Sequence, residues 1–311
     1  MKIQFINCIP LNVISGGNIY NIQIIESLRQ NNFEVDYNLT PSDKNYDITI
    51  VDSLCMEEID TKSLKLTHRI IALIHLIPEL PSNIIDFYRT NSSFIVTGNP
   101  IKQELMAKWK LSNDNIFVIR PGIPNHWKAK NNHSIKITNI VINANFIERK
   151  RYEWLIPILK NINKSNIIIH IIGNNTIEPN YAKSICKSLK NKSLKNRIHF
   201  YFNISQDEIY KKLVTADLFL SLSKYESFGM SIFEAISVGT PCLAFLTGDI
   251  DLFNQYPNYI GIENHNMEKF STVLKDLHEG KIADYNFNIS QLPINRTWDK
   301  VNYEFQTLLK G

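Results

Sequence analysis

The feature that most constrains the fold is an alternation that runs the length of the chain. Short runs rich in Ile, Val and Phe recur: KIQFINCI, DITIVDS, HRIIALIHL, SFIVTG and NIFVIR, then KITNIVINAN, NIIIHIIG, RIHFYF, DLFLSLS and TPCLAFL. Several are nearly continuous in apolar residues, as suits strands covered on both faces, and so a parallel sheet. Between them, amphipathic stretches predict helices over Asn18–Asn31, Ile101–Lys110, Glu153–Asn161, Tyr181–Lys190, Gln206–Thr215 and Met230–Val238. Strand and helix in alternation give an α/β chain with helices sandwiching parallel sheets.

Length then sets the number of such units. The 311 residues are too many for one ordinary core and suit two α/β units of about 150 residues each. The polar, aperiodic stretch PNHWKAKNNHSIK is the expected boundary. The expectation is a first domain over 1–126, a linker over 127–136 and a second domain over 137–297. A helix over 298–311 follows, which could pack on either lobe, with a return to the N-terminal domain as the expectation. In the second half the alternation weakens after Asn264, and YNFNISQLPINR is irregular.

Composition excludes several classes. A charged fraction of 21% and an apolar fraction of 44% are ordinary for a globular protein. The net charge of +4 is spread along the chain, which favours small anions or an anionic membrane surface weakly and does not argue for nucleic acid. Cys8, Cys55, Cys186 and Cys242 lack CxxC spacing, so neither a disulfide framework nor a zinc site is indicated. The opening MKIQFINCIPLNVI lacks signal-peptide features, and no run approaches roughly 18 apolar residues. A cytoplasmic protein is expected, with peripheral membrane contact left open.

The chemistry concentrates in DLFLSLSKYESFGMSIFEAISVGTPCLAF, read as strand, loop, helix, turn and strand. Glu226 stands in the loop and Glu234 within the helix. Between them Ser227, Phe228, Gly229 and Met230 present backbone N–H groups at a helix start, a natural anion site for a diphosphate. Gly229 permits close approach, and a carboxylate suits a vicinal diol. A Glu near a helix start is also favoured by the macrodipole alone, so the pair by itself is weak evidence.

Its surroundings make it specific. From Arg197 to Phe245 the sequence resembles the donor-binding half of GT-B glycosyltransferases, most closely the retaining family 4 group with its E-x7-E motif. The matching features are the "adlfl-S" strand, the E-S-F-G turn, the E-A helix and the G-T-P turn, in order. Further landmarks follow the same order, more loosely in the first half. SGGNIYNIQIIESL places Gly16 and Gly17 between the first strand and helix, and RIIALIHLIPELP puts His75 on the family histidine, with Leu76 replacing its acidic neighbour. SFIVTGNPIKQELMAKWKLSNDNIFVIRPGIP carries Thr97 and Gly122 on the family's serine and glycine. IVINANFIERKRYEWLI puts Lys150 on the lysine position but Asn145 on the arginine position, with Arg149 or Arg151 to compensate. IIIHIIGNN puts Gly173 on the first glycine of "vG-x-G", with Asn175 replacing the second.

The resemblance implies two Rossmann-like doubly wound domains facing a central cleft, the first binding the acceptor and the second the nucleotide sugar. It implies a retaining hexosyltransferase-type enzyme in which the leaving diphosphate helps deprotonate the acceptor hydroxyl, so catalysis reduces to charge stabilisation and alignment. On this reading Glu234 holds the ribose hydroxyls and Glu226 the donor sugar. Lys150, with Arg149 or Arg151, and the N–H groups from Ser227 to Met230 neutralise the diphosphate. Gly16 and Gly17 let the first lobe approach, and His75 orients the sugar. No metal and no separate cofactor are implied. The donor is a UDP- or GDP-sugar, and the acceptor a glycan, lipid-linked sugar, protein or small molecule. The alternatives are another GT-B enzyme, such as a nucleotide-sugar epimerase, or a non-catalytic subunit that keeps the fold.

Overall fold

A computed structural model of the chain describes residues 1–130, 137–160, 166–190, 196–281 and 296–311. These residues form two compact units, Met1–Asn125 with Arg296–Gly311, and His126–Asn295.

In the first unit the strands are β1 (Lys2–Ile6), β2 (Glu34–Asn38), β3 (Tyr46–Asp52), β4 (Thr67–Ile74), β5 (Ser92–Val96) and β6 (Ile116–Val118). They form one sheet in the order β2-β1-β3-β4-β5-β6, parallel at every pairing. The continuous apolar runs of the sequence become its centre: Phe5, Ile50, Val51, Ile71 and Ile95 are fully buried, as both-face coverage requires. Helices α1 (Gly16–Gln30), α2 (Ser82–Asn91) and α3 (Asn99–Trp109) connect them.

The second unit repeats the scheme with β7 (Asn139–Asn143), β8 (Ile168–Gly173), β9 (Ile198–Phe202), β10 (Leu218–Ser221), β11 (Cys242–Phe245) and β12 (Tyr259–Ile262). Their order is β12-β11-β10-β7-β8-β9, again parallel. Its helices are α4 (Leu155–Lys160), α5 (Pro179–Leu189), α6 (Gln206–Thr215), α7 (Met230–Ser237), α8 (Ile250–Phe253) and α9 (Met267–His278). Leu218, Leu220, Leu243, Phe245 and Phe270 anchor the core between sheet and helices.

The last helix, α10 (Trp298–Lys310), belongs to the first unit. Trp298, Val301, Phe305 and Leu309 are buried along one face, and Trp298 meets Tyr20 of α1 edge-on at 5.8 Å. Arg69 donates to the Leu308 carbonyl (3.2 Å) and Gln306 to Ser27 Oγ (3.0 Å). A Cβ on Gly122 would come within 2.6 Å of the Thr297 backbone, so that glycine is needed where the returning chain crosses.

Three differences from the sequence reading have local causes. The alternation omits β2 and β12, the edge strands flanking β1 and β11, because EVDYN and YIGI are polar or half-exposed. It also omits α2, with Tyr88 as its one buried residue, the single-turn α8, and α9, whose buried Phe270, Val273, Leu274 and Leu277 lie on one helical face just after Asn264. Trp127, read as linker, is buried in the second unit and stacks on Tyr210 with ring centroids 5.3 Å apart. Residues 131–136 of that linker, the end of the helix drawn to Asn161 and most of YNFNISQLPINR lie outside the described residues. No helix among the described residues is long and apolar enough to cross a membrane.

Candidate functional site

In each sheet the strand order reverses at one place. In the second unit β7 is followed by β8 and β9 on one side, then β10 to β12 on the other, so the reversal falls between β7 and β10. Loops leaving the carboxyl ends of the strands diverge there, which opens the crevice that α/β proteins use for ligands.

The residues singled out in the second half gather at this point. The loop after β7 carries Arg149 and Lys150, and the loop after β10 carries Glu226. They are strapped together by a backbone bond from Lys224 N–H to the Arg149 carbonyl (2.7 Å) and by the Arg149 guanidinium on the Tyr225 carbonyl (2.8 Å). Lys150 Nζ donates to Glu226 Oε1, and Arg149 Nη1 lies 3.4 Å from Glu226 Oε2. Burial alone would push the Glu226 carboxyl up; Lys150 and Arg149, helped by Ser223, outweigh it and hold the group below its ordinary value. The same burial draws the Lys150 ammonium down, against the pull of Glu226. The result is a buried ion pair with a half-exposed guanidinium at its rim.

Next to it α7 begins at Gly229, whose φ of 95° a side chain would disfavour. The first helical bond runs from Phe233 N–H to the Gly229 carbonyl (3.0 Å), which leaves the amides of Met230, Ser231 and Ile232 outside the ladder. No side chain caps this end. The Phe228 side chain is core, set against Phe233 and Phe253, so only its backbone is available to a ligand. The turn is held from behind by Gly248: a Cβ there would stand 2.2 Å from the Phe228 carbonyl oxygen.

From Ile232 to Ser237 every residue of α7 is buried, and Glu234 is its one carboxylate. Asn143, the last residue of β7, donates its Nδ2 to Glu234 Oε2 at 3.4 Å. Burial raises the Glu234 carboxyl from 4.5 to about 8, opposed by the Asn143 bond. The sequence reading missed Asn143 and Ser223, though a polar residue closing an apolar parallel strand at its carboxyl end is a signal that points to such positions.

The remaining residues of this group have structural partners. Arg151, in the left-handed region at φ 52°, lays its guanidinium over Trp154 (4.5 Å) and donates to Asn264 Oδ1 (2.9 Å). Asn145 Oδ1 accepts from the Asn174 amide (3.1 Å). Gly173 closes β8 where a Cβ would stand 1.9 Å from the Ala144 carbonyl oxygen, so it allows the β7 and β8 ends to meet.

In the first unit the reversal lies between β1 and β3, and the residues singled out there also converge. Ser15 caps α1 by accepting from Asn18 N–H, which fixes Gly16 and Gly17 in its first turn. The His75 ring lies against Gly17: a Cβ there would be 3.2 Å from His75 Cδ2. His75 Nε2 is 2.8 Å from Asn21 Oδ1 and 3.6 Å from Asp52 Oδ2. Burial lowers the His75 pKa and Asp52 opposes that effect. Asn21 and Asp52 were not visible as partners in the sequence, because they come from a helix interior and a strand end far from His75 in the chain.

Comparison with known proteins adds to this geometry. Residues 125–287 match the family described as glycosyl transferases group 1. No curated protein gives a significant sequence match. Among solved structures, a glycosyltransferase from Rickettsia africae is 15% identical with a TM-score of 0.75, covering 99% of this chain and 97% of that one. HepE from Anabaena, in complex with UDP and glucose, is 15% identical with a TM-score of 0.76 and full coverage of both chains, 100% each. A sucrose-phosphate synthase from Thermosynechococcus elongatus is 14% identical with a TM-score of 0.76, covering 99% and 98%. The two parallel six-stranded sheets match the GT-B architecture of these enzymes, and with more than half of its length matched this chain belongs to the glycosyl transferases group 1 family.

Proposed function

We propose that the chain is a retaining, metal-independent transferase of the family 4 kind, moving a hexose from a UDP- or GDP-sugar to an acceptor hydroxyl. The observation that carries this reading is the convergence of Arg149, Lys150 and Glu226 beside the uncapped start of α7, with Glu234 inside that helix. The diphosphate takes the amides at Met230 and Ser231 together with Lys150 and Arg149. Arg149, not Arg151, replaces the cation missing at Asn145, since the Arg151 guanidinium is engaged by Trp154 and Asn264. These groups stabilise the charge that develops as the sugar leaves, which is where preorganised donors contribute most.

Glu226 takes the sugar hydroxyls and Glu234 the ribose diol. Once the donor is bound, Lys150 exchanges part of its bond to Glu226 for the phosphate, so the free-state ion pair is a preformed anion receptor. Because HepE is known in complex with UDP-glucose, UDP-glucose is the first donor to test. The second unit is the donor domain, the first the acceptor domain, and the location cytoplasmic.

A thermal-shift screen with UDP- and GDP-sugars tests donor binding directly, because a ligand at a hundred times its Kd stabilises by about 2.7 kcal/mol. Glu226→Ala should then lower kcat/KM on the order of a hundredfold, as loss of two charge-assisted hydrogen bonds implies. The product's anomeric proton coupling reports retention, and activity in EDTA reports metal independence. A chain that binds none of these nucleotides, or a Glu226→Ala variant of full activity, overturns the assignment.

A further inference from the structure

Beneath the glycine loop of the first unit lies a buried chain of polar groups whose direction is fixed. Asp52 closes β3; its Oδ1 accepts the Leu54 amide (2.9 Å) and its Oδ2 accepts Asn21 Nδ2 (2.7 Å). A carboxylate can only accept from these two donors, so the Asn21 amide nitrogen must face Asp52 and its Oδ1 must face the other way. That oxygen meets His75 Nε2 at 2.8 Å. An amide oxygen only accepts, so Nε2 carries the proton. In the neutral ring favoured by burial, Nδ1 is then a bare acceptor, and among the described residues no protein group is placed on it. Ser53 Oγ accepts the His75 amide (3.2 Å), which fixes the backbone from which the ring projects. Asn21 is fully buried and Asp52 is 1% exposed, and such a network is costly unless each member is satisfied.

We propose that Asn21 and Asp52 are positioning residues that hold His75 as the Nε2–H tautomer, so that Nδ1 is left to accept a sugar hydroxyl. This rests on the reading of His75 as the sugar-orienting residue. The groups around the ring are Asn21 and Tyr20 of α1, Asp52 at the end of β3 with Ser53 after it, and Gly17. Asp52 is the charged group among them.

The chain of donors can be reversed without changing its shape. In Asp52→Asn the new oxygen keeps the Leu54 amide and the new nitrogen faces Asn21. Asn21 must then turn its oxygen towards that nitrogen and its amide towards His75. Nε2 becomes an acceptor and the proton moves to Nδ1, which no longer accepts from a sugar. The double exchange Asn21→Asp with Asp52→Asn puts a carboxylate back against Nε2 and restores the original tautomer.

Two-bond proton–nitrogen spectra of the histidine-labelled protein near neutral pH, with His75→Gln identifying the signal, read the tautomer without any substrate. Kinetics use whichever of UDP-glucose, UDP-galactose, UDP-N-acetylglucosamine and GDP-mannose raises Tm most. The expected result is Nε2–H in the wild type and Nδ1–H in Asp52→Asn. That variant should lose kcat by about tenfold or more, with KM for the donor changed by less than about threefold. The double exchange should recover both the Nε2–H signal and most of kcat. A wild-type ring protonated on Nδ1, or on both nitrogens, overturns the inference even if the variants do not fold. An Asp52→Asn ring that keeps Nε2–H overturns it too, as does a reversed tautomer with unchanged kcat. If the wild type turns over none of the four donors, the function proposed above falls and the sugar-facing half of this inference with it, while the spectra still decide the hydrogen-bond chain.

Discussion

Glu226 and Glu234 are the same side chain in opposite surroundings. Glu226 is held ionised by Lys150 and Arg149 against its own burial, whereas Glu234 has an amide for a partner and is raised to about 8. A carboxyl whose folded pKa lies above its ordinary 4.5 contributes its full stability below that pH and loses it as pH rises through about 8. Glu234→Gln cannot ionise, so its Tm advantage over the wild type should be negligible at pH 4.5 and grow to about 2 °C or more at pH 9, read by calorimetry at both ends. A constant difference across that range would show that the folded-state carboxyl of Glu234 is not raised above its ordinary value. On the proposed donor reading, the same variant should weaken donor binding above pH 8, where the wild-type group is a carboxylate and accepts a ribose diol more strongly than a neutral amide does. Both glutamates were legible in the sequence because they sit in one contiguous strand-loop-helix segment. Their partners Asn143 and Ser223, and the partners Asn21 and Asp52 of His75, were not, because nothing local in a sequence says which distant polar residue a fold will bring to a carboxylate or an imidazole.

The elements follow the same division. Central strands such as β3, β4 and β8 were legible because burial on both faces leaves an unbroken apolar run. The edge strands β2 and β12 are polar or half-exposed and read as loop, whereas β6 and β9 at the opposite edges keep apolar runs, and α7 was legible from Gly229 before it and Gly239 after it. Glycines at element ends differ in what they are for. Gly173 closes β8 with the Ala144 carbonyl 1.9 Å from where a Cβ would be, so Gly173→Ala forces the backbone apart and should cost about 3 kcal/mol or more. Gly280, beyond α9 at φ 82°, has nothing within 4 Å of that position, so Gly280→Ala should cost only about 1 kcal/mol of left-handed strain. Urea midpoints at constant m-value separate the two; equal losses would mean that the β7–β8 approach is not tight.

At the scale of the whole molecule, both sheets put their candidate residues where strand order reverses, so one rule of topology accounts for sites built from quite different side chains. The chain divides after Asn125 and returns residues 296–311 to the first unit; what an amphipathic helix such as α10 says by itself is only that it needs an apolar surface. That surface is α1 and its neighbours: Trp298, Val301, Phe305 and Leu309 are all buried there, each contributing roughly 1.5–3 kcal/mol. Removing residues 296–311 should therefore cost the first unit a large share of the 5–15 kcal/mol typical of a domain. In hydrogen exchange, β1 to β6 should lose protection while β7 to β12 keep it; retained protection in β1 to β6 would show that α10 is dispensable. The detour of the chain also sets an order of events during synthesis. The half that leaves the ribosome first is not whole until residues 296–311 have followed, some 170 positions after Asn125. The later half can close on itself while the earlier one still waits with the apolar side of α1 uncovered, so a growing chain stalled before Arg296 should be the form that chaperones hold.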